Sequence, residues 1–142
     1  MTETNGANTG LAAAETIAAQ ARDLKIVGVE ALTFKYRSRV GRDDEGHAHP
    51  AEEHDAQRTI LRVRTNIGVD GYCVGGSPAT AAVANRMIGG LNPLDRERIW
   101  THLHHAQRLE WQPLGDRNLS AIDQALWDFA GKLTGLPISK LL

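Results

Sequence analysis

The chain has 142 residues, with 16 basic and 17 acidic side chains and a formal net charge of −1. One modest domain fits that length, and so balanced a charge excludes general adhesion to nucleic acid or to an anionic membrane. No apolar run approaches the ~20 residues that span a bilayer, and a single cysteine, Cys73, excludes an internal disulfide.

A free thiol fits a reducing compartment, so a cytoplasmic protein is expected. The N-terminal segment carries Glu3 and Glu15 and no basic stretch ahead of its alanines, so it does not read as a signal peptide. Residues 1–10 are polar and aperiodic and predict a disordered tail. Leu11 to Arg22 is alanine-rich with helical spacing and predicts a short helix with little large apolar surface.

From Lys25 to Tyr36 the β-branched and aromatic residues predict a strand. The segment from Val40 to Gln57 is dense in charge, His, Gly and Pro without periodicity, and predicts a long loop of the kind that is functional or disordered. RTILRVRTN alternates Leu61 and Val63 with Arg62 and Arg64, the period of a half-buried strand. Ile67 to Gly71 supplies turn residues leading into a short strand, Tyr72-Cys73-Val74. Three such runs predict an antiparallel meander.

Helices follow. Ser77 and Pro78 read as a start, Val83 and Met87 as one face, and Gly89-Gly90 as a stop. Asn92-Pro93-Leu94-Asp95 opens a second helix with Ile99, Leu103 and Ala106 inward. Leu119, Ile122, Leu126, Phe129 and Leu133 mark the last and longest, with Asn118 and Ser120 as caps, Lys132 near its C-terminus, and Gly135 and Pro137 ending it. Strands followed by helices give an α+β class: a three-stranded antiparallel meander, then a helical bundle.

Chemistry-bearing residues are sparse. His47, His49 and His54 lie among Asp43, Asp44, Glu45, Glu52, Glu53 and Asp55, donors suited to a divalent metal. Their spacing matches no defined metal motif, so a solvated polar segment is preferred. His102, His104 and His105 read as exposed helical residues. Gly75-Gly76-Ser77 could present backbone N–H groups to an anion, or could simply turn the chain. Arg58, Arg62 and Arg64 form a basic strand face without the interleaved aromatics of a nucleic-acid surface. Cys73 lacks a neighbouring base and reads as a small hydrophobe. Ser120 with Asp123 reads as a capping box, and Trp100, Trp111 and Trp127 as core or interface anchors. A stand-alone binding module using the histidine-rich segment or the arginine-rich strand is therefore one reading.

NLSAIDQALWDFAGKLTGLPISKLL, from Asn118 to Leu142, resembles a far more specific pattern. It is similar to the helical signature that closes the N-terminal capping region in the enolase superfamily, in the branch of mandelate racemase, muconate lactonizing enzyme and the acid-sugar dehydratases. The upstream order of strands, G-V-D-G turn and helices resembles the same family, so the likeness runs from Lys25 to Leu142. On that basis residues 24–142 are expected to form the capping domain, with residues 1–23 as tail and short helix.

The resemblance implies a parent enzyme completed by a (β/α)₈ barrel, which takes about 250 residues and which this chain lacks. In the family, barrel carboxylates hold Mg²⁺, and Lys or His bases take a proton α to a substrate carboxylate. No catalytic or metal-binding residue is therefore expected here, and Asp123 and Asp128 belong to the helical signature. The chain alone should be inactive. Two segments, Arg37 to Gln57 and Gly71 to Ser77, are expected to shape the substrate pocket through Arg37, Arg39, His47, His49 and Tyr72. The implied partners are the parent's own barrel, a sugar-acid carboxylate and further copies of the protein, with neither nucleic acid nor membrane. Dehydration is the expected reaction, with racemisation, epimerisation or cycloisomerisation as relatives of it. Phe129, Leu133, Leu136, Ile138, Leu141 and Leu142 are expected to offer the apolar surface that meets the barrel.

Overall fold

A computed structural model describes residues 19–142. The expected tail and most of the expected Leu11–Arg22 helix lie outside the described residues; residues 19–22 are helical. Three strands follow: β1 (Ile26–Arg42), β2 (Ala48–Thr65) and β3 (Gly71–Val74). They form one antiparallel sheet in the order β1-β2-β3, the predicted meander. Then come α1 (Pro78–Ile88), α2 (Arg96–Ala106), α3 (Asp116–Thr134) and a 3₁₀ turn at Ile138–Lys140.

The helices cover one face of the sheet at one end only. Helix α3 packs on β3 and β2, α1 packs on β1, and α2 braces α1 and α3. Val29, Leu61 and Val63 point into this layer and meet Ile88, Ile122 and Leu126, all essentially solvent-free. Alternation in β2 puts Arg62 and Arg64 on the other face, as period-two patterning requires.

Local sequence explains the ends. Ser77 Oγ accepts the Thr80 N–H at 3.1 Å, and Pro78 takes the first helical position, where its missing N–H costs nothing. At the far end of α1, Gly90 N–H donates to Ile26 O at 2.8 Å and Ile26 N–H donates to Leu91 O at 2.9 Å. The chain leaving the helix thus seals the start of β1. Gly135 ends α3 with φ of 66°.

Four expectations are corrected. The long loop from Val40 to Gln57 belongs to a β-ribbon, with β1 and β2 paired out to Arg42 and Ala48 around a tight tip. Opposite charges on facing strands hold it: Arg37 binds Glu53 at 3.0 Å and Asp55 at 2.8 Å, and Arg39 binds Glu53 at 3.1 Å. Asn118 and Ser120 do not cap α3, which starts at Asp116, and Ser120 with Asp123 forms no capping box. Ser120 Oγ instead accepts from Gln124 one turn on, at 2.9 Å. Phe129 is fully buried and belongs to the interior, not to an exposed docking surface. Of the core-or-interface reading of Trp100 and Trp111 the core half is excluded, since they stand 44% and 72% exposed.

Candidate functional site

The turn between β2 and β3 is welded to α3. A side chain at Gly71 would place its Cβ 1.9 Å from Ala125 O, so only glycine allows β3 this close to the helix. Asp128 Oδ2 accepts the Tyr72 N–H at 2.8 Å and Lys132 Nζ at 2.5 Å. Lys132 also donates to Asp70 O at 3.1 Å and lies 4.4 Å from the centroid of the Tyr72 ring. Across the strand, Asp70 receives Arg62 through Nε at 2.9 Å and Nη2 at 2.6 Å, and accepts the Thr65 N–H at 3.0 Å. Burial pushes the Asp70 carboxyl up, but the Arg62 bonds and the Thr65 N–H outweigh it and hold the pKa below the usual carboxylate range.

The two most recognisable polar residues of the signature helix are therefore a clamp on the turn that carries Tyr72. Beyond it, Gly75 and Gly76 adopt φ of 135° and 74°, and a Cβ at Gly76 would come within 2.9 Å of Leu61. These glycines turn the chain over the core. Ser77, by capping α1 itself, takes one of the N–H groups that an anion would have used.

The expected substrate-facing residues fall in separate places. Arg37 and Arg39 share Glu53 on the ribbon, on the face that continues the helix side of the sheet. The bonds to Asp55 and Glu53 raise the Arg37 pKa. His47 sits at the ribbon tip and His49 lies opposite Gly41. Tyr72 faces the other side of the sheet, opposite Arg62, roughly 23 Å along β2 from Asp55 at the usual strand rise.

Of the three clustered histidines only His47 joins a group that could hold a metal. Its Nδ1 is 3.4 Å from Asp43 Oδ2 and 3.8 Å from Glu45 Oε2, and the ligand atoms of the three residues lie within 4.8 Å of one another. His54 instead places Nδ1 3.0 Å from Glu52 O. Helix α2 carries His102, His104 and His105 exposed, with His104 stacked on Trp100 at 4.6 Å.

Two features escaped the sequence reading. Arg96 lies over the Trp127 ring at 3.1 Å from its centroid, beside Asp123, in an open groove completed by Leu94, Glu97 and Trp100. Burial raises the Asp123 pKa against the opposing pull of Arg96 and the Trp127 hydrogen bond, and burial lowers that of Arg96. The Arg62–Asp70 pair was also missed, although an acidic residue between Gly68 and Gly71 was its available signal. Cys73 is half-buried with Sγ 3.3 Å from Gln124 Oε1, and burial together with Asp128 raises its thiol pKa. That shift makes it a poor nucleophile.

Mg²⁺ wants a near-octahedral set of oxygen ligands. Asp70 and Asp128 are committed to N–H donors and cations, Asp123 is half-buried between Arg96 and Trp127, and the tip group is exposed and includes an imidazole. The described residues do not fit that ion. Among them, no helix is long and apolar enough to cross a membrane.

The fold has relatives. The D-glucarate dehydratase of Agrobacterium tumefaciens, solved in complex with magnesium, superposes with a TM-score of 0.72 at 37% identity, over 82% of this chain and 32% of that one. A D-galactonate dehydratase family member from Catenulispora acidiphila is 38% identical over 68 residues, 45% of this chain and 16% of the relative. D-galactarolactone cycloisomerase from Agrobacterium fabrum is 42% identical over 76 residues, 51% of this chain and 20% of the relative. Residues 47–142 match the profile described as "Mandelate racemase / muconate lactonizing enzyme, N-terminal domain". The chain belongs to that family, within the enolase superfamily. The stretches it shares with these curated relatives make up a fifth of their length or less.

Proposed function

We propose that this chain is the capping, specificity-setting part of a Mg²⁺-dependent enzyme that takes a proton α to the carboxylate of a sugar acid and dehydrates it. The observation that carries this reading is the likeness to D-glucarate dehydratase over 82% of the chain. The D-galactonate dehydratase family member points the same way. Catalytic groups and the metal belong, in this reading, to a barrel supplied by the rest of the parent protein, because the residues described here offer Mg²⁺ no cradle.

The capping part contributes selection and enclosure. Loops and ribbons on a rigid scaffold choose the substrate, and their closure excludes water and strengthens the electrostatics beneath them. Arg37, Arg39, His47 and His49 present donors suited to a polyhydroxy carboxylate, and Tyr72 is fixed in place by Lys132 and Asp128. Leu136, Ile138 and Leu142, exposed at the end of α3 and in the turn beyond it, are assigned to the seam with the barrel. Cycloisomerisation of a sugar-acid lactone is the second reading, favoured by the 42% identity to D-galactarolactone cycloisomerase.

The test joins this chain to the barrel of its parent and assays a library of acid sugars with Mg²⁺. Dehydration of an aldonic or aldaric acid is the expected result, and lactone isomerisation would select the second reading. Turnover of apolar acyl substrates alone, or none with any acid sugar, would reject both.

A further inference from the structure

β1 is an edge strand, and the structure treats the two halves of that edge differently. At Val29 the Asn85 side chain acts as a surrogate strand: its Oδ1 accepts the Val29 N–H and its Nδ2 donates to Val29 O, both at 2.7 Å. Those bonds show that the peptide groups of Val29 face away from β2. Pairing is regular from Val29 to Ser38, so the N–H and C=O groups of Ala31, Thr33, Lys35 and Arg37 face the same way. Among the described residues no strand pairs with them. The open edge ends beyond Arg37, where a register irregularity falls between Ser38 and Val40.

An exposed strand edge is a template for another strand, which proteins ordinarily blunt. This one is also apolar on its outer face. Leu32, Phe34 and Tyr36 project there, with Phe34 50% and Tyr36 41% exposed. On the opposite face Arg37 and Arg39 are paired within the ribbon through Glu53 and Asp55, while Lys35 stands exposed opposite Gln57.

We propose that the Ala31–Arg37 edge of β1 pairs antiparallel with the same edge of a second copy, about a two-fold axis at Phe34, joining two three-stranded sheets into one. Phe34 is the midpoint of the open edge, so this register uses every outward group. Ala31 pairs with Arg37 of the second copy, and Thr33 with Lys35, giving about eight hydrogen bonds at two per facing pair. No like charges are opposed. Phe34 meets Phe34, and Leu32 meets Tyr36, which extends the apolar stripe across the junction. Centring on Lys35 would set lysine against lysine, and centring on Thr33 would drive Arg37 onto the Val29 edge that Asn85 occupies. A two-fold contact of this kind closes on itself and yields a dimer rather than a fibre.

The register is testable to the residue. Phe34 faces its own copy in a non-hydrogen-bonded position with Cα atoms about 4.5 Å apart, inside the range a disulfide bridges. In a Cys73→Ser background of the full chain, Phe34→Cys should form a disulfide-linked dimer under mild oxidation at least tenfold faster than Tyr36→Cys. Sedimentation should show the parent chain dimerising with concentration. Lys35→Pro, which deletes one outward N–H and leaves the β1–β2 bonds intact, should shift it to monomer with an unchanged circular dichroism spectrum. If Lys35→Pro perturbs the fold, the cysteine pair alone decides. Equal cross-linking of the two cysteine variants, a dimer surviving Lys35→Pro in a folded chain, or a monomer at every concentration would overturn the proposal.

Discussion

The strand β2 passes through two different environments. From Leu61 to Thr65 its inward side chains are buried in the helix-backed core, while from Ala48 to Asp55 every residue is exposed. Apolar contact and a close glycine approach hold the first half, whereas ladder bonds and cross-strand ion pairs hold the second. The contrast teaches that strand length in this protein is not set by the core. Hydrophobic burial fixes where the sheet is anchored, and charge complementarity between facing strands decides how far it reaches.

Truncations should separate the halves most sharply. Phe129→Ala removes a fully buried ring and is expected to cost about 3–5 kcal/mol, whereas Phe34→Ala should cost below about 1 kcal/mol at concentrations where the chain is monomeric. Urea denaturation of both variants measures the difference, and equal losses would break the comparison. Gly71→Ala comes next: with Ala125 O in the way, β3 must back off α3, at a cost of up to about 3 kcal/mol. A midpoint unchanged from the parent would show that β3 can back off α3 without loss.

A subtler pair lies inside the anchored half. Asp70 has a lowered pKa, so its contribution is complete above the ordinary aspartate range and fades as pH falls through its lowered value. Asp123 has a raised pKa, so it favours folding in acid and its cost appears as pH rises through its raised value. Asp70→Asn should therefore lower the neutral-pH melting temperature and flatten its acid dependence. Asp123→Asn should raise or preserve the neutral-pH value. The smallest effect belongs to the ribbon. Arg37→Ala removes exposed ion pairs and should leave the thermal midpoint indistinguishable from the parent, while loosening amide protection between Arg37 and Asp55 in hydrogen exchange.

The anchored half was legible in the sequence because burial writes periodicity. Leu119, Ile122, Leu126 and Phe129 announced α3, and Leu61 with Val63 announced β2. The ribbon was not legible, since neither of its faces is buried and no hydrophobic alternation marks it. Arg37 and Asp55 become informative only once they face one another across strands 18 positions apart. The caps of α3 were misplaced for a related reason: Asn118 and Ser120 are good cap types, but Asp116 and Arg117 extend the helix ahead of them. The resemblance named the family from the last 25 residues, yet could not say that Asp128 and Lys132 clamp a turn, a role that depends on a strand 56 residues earlier.

The clamp at Tyr72 and the seal at Val29 fix the root of the ribbon, and within a single copy the ribbon leaves that root as an arm with no helix against it. From Thr33 to its tip it extends roughly 30 Å at the usual strand rise. A hinge rotation of about 5° at the root would sweep the tip through about 3 Å, more than the difference between a hydrogen bond made and one lost. An arm of this length turns sub-ångström adjustments in the body into ångström-scale travel at Asp43, Glu45 and His47.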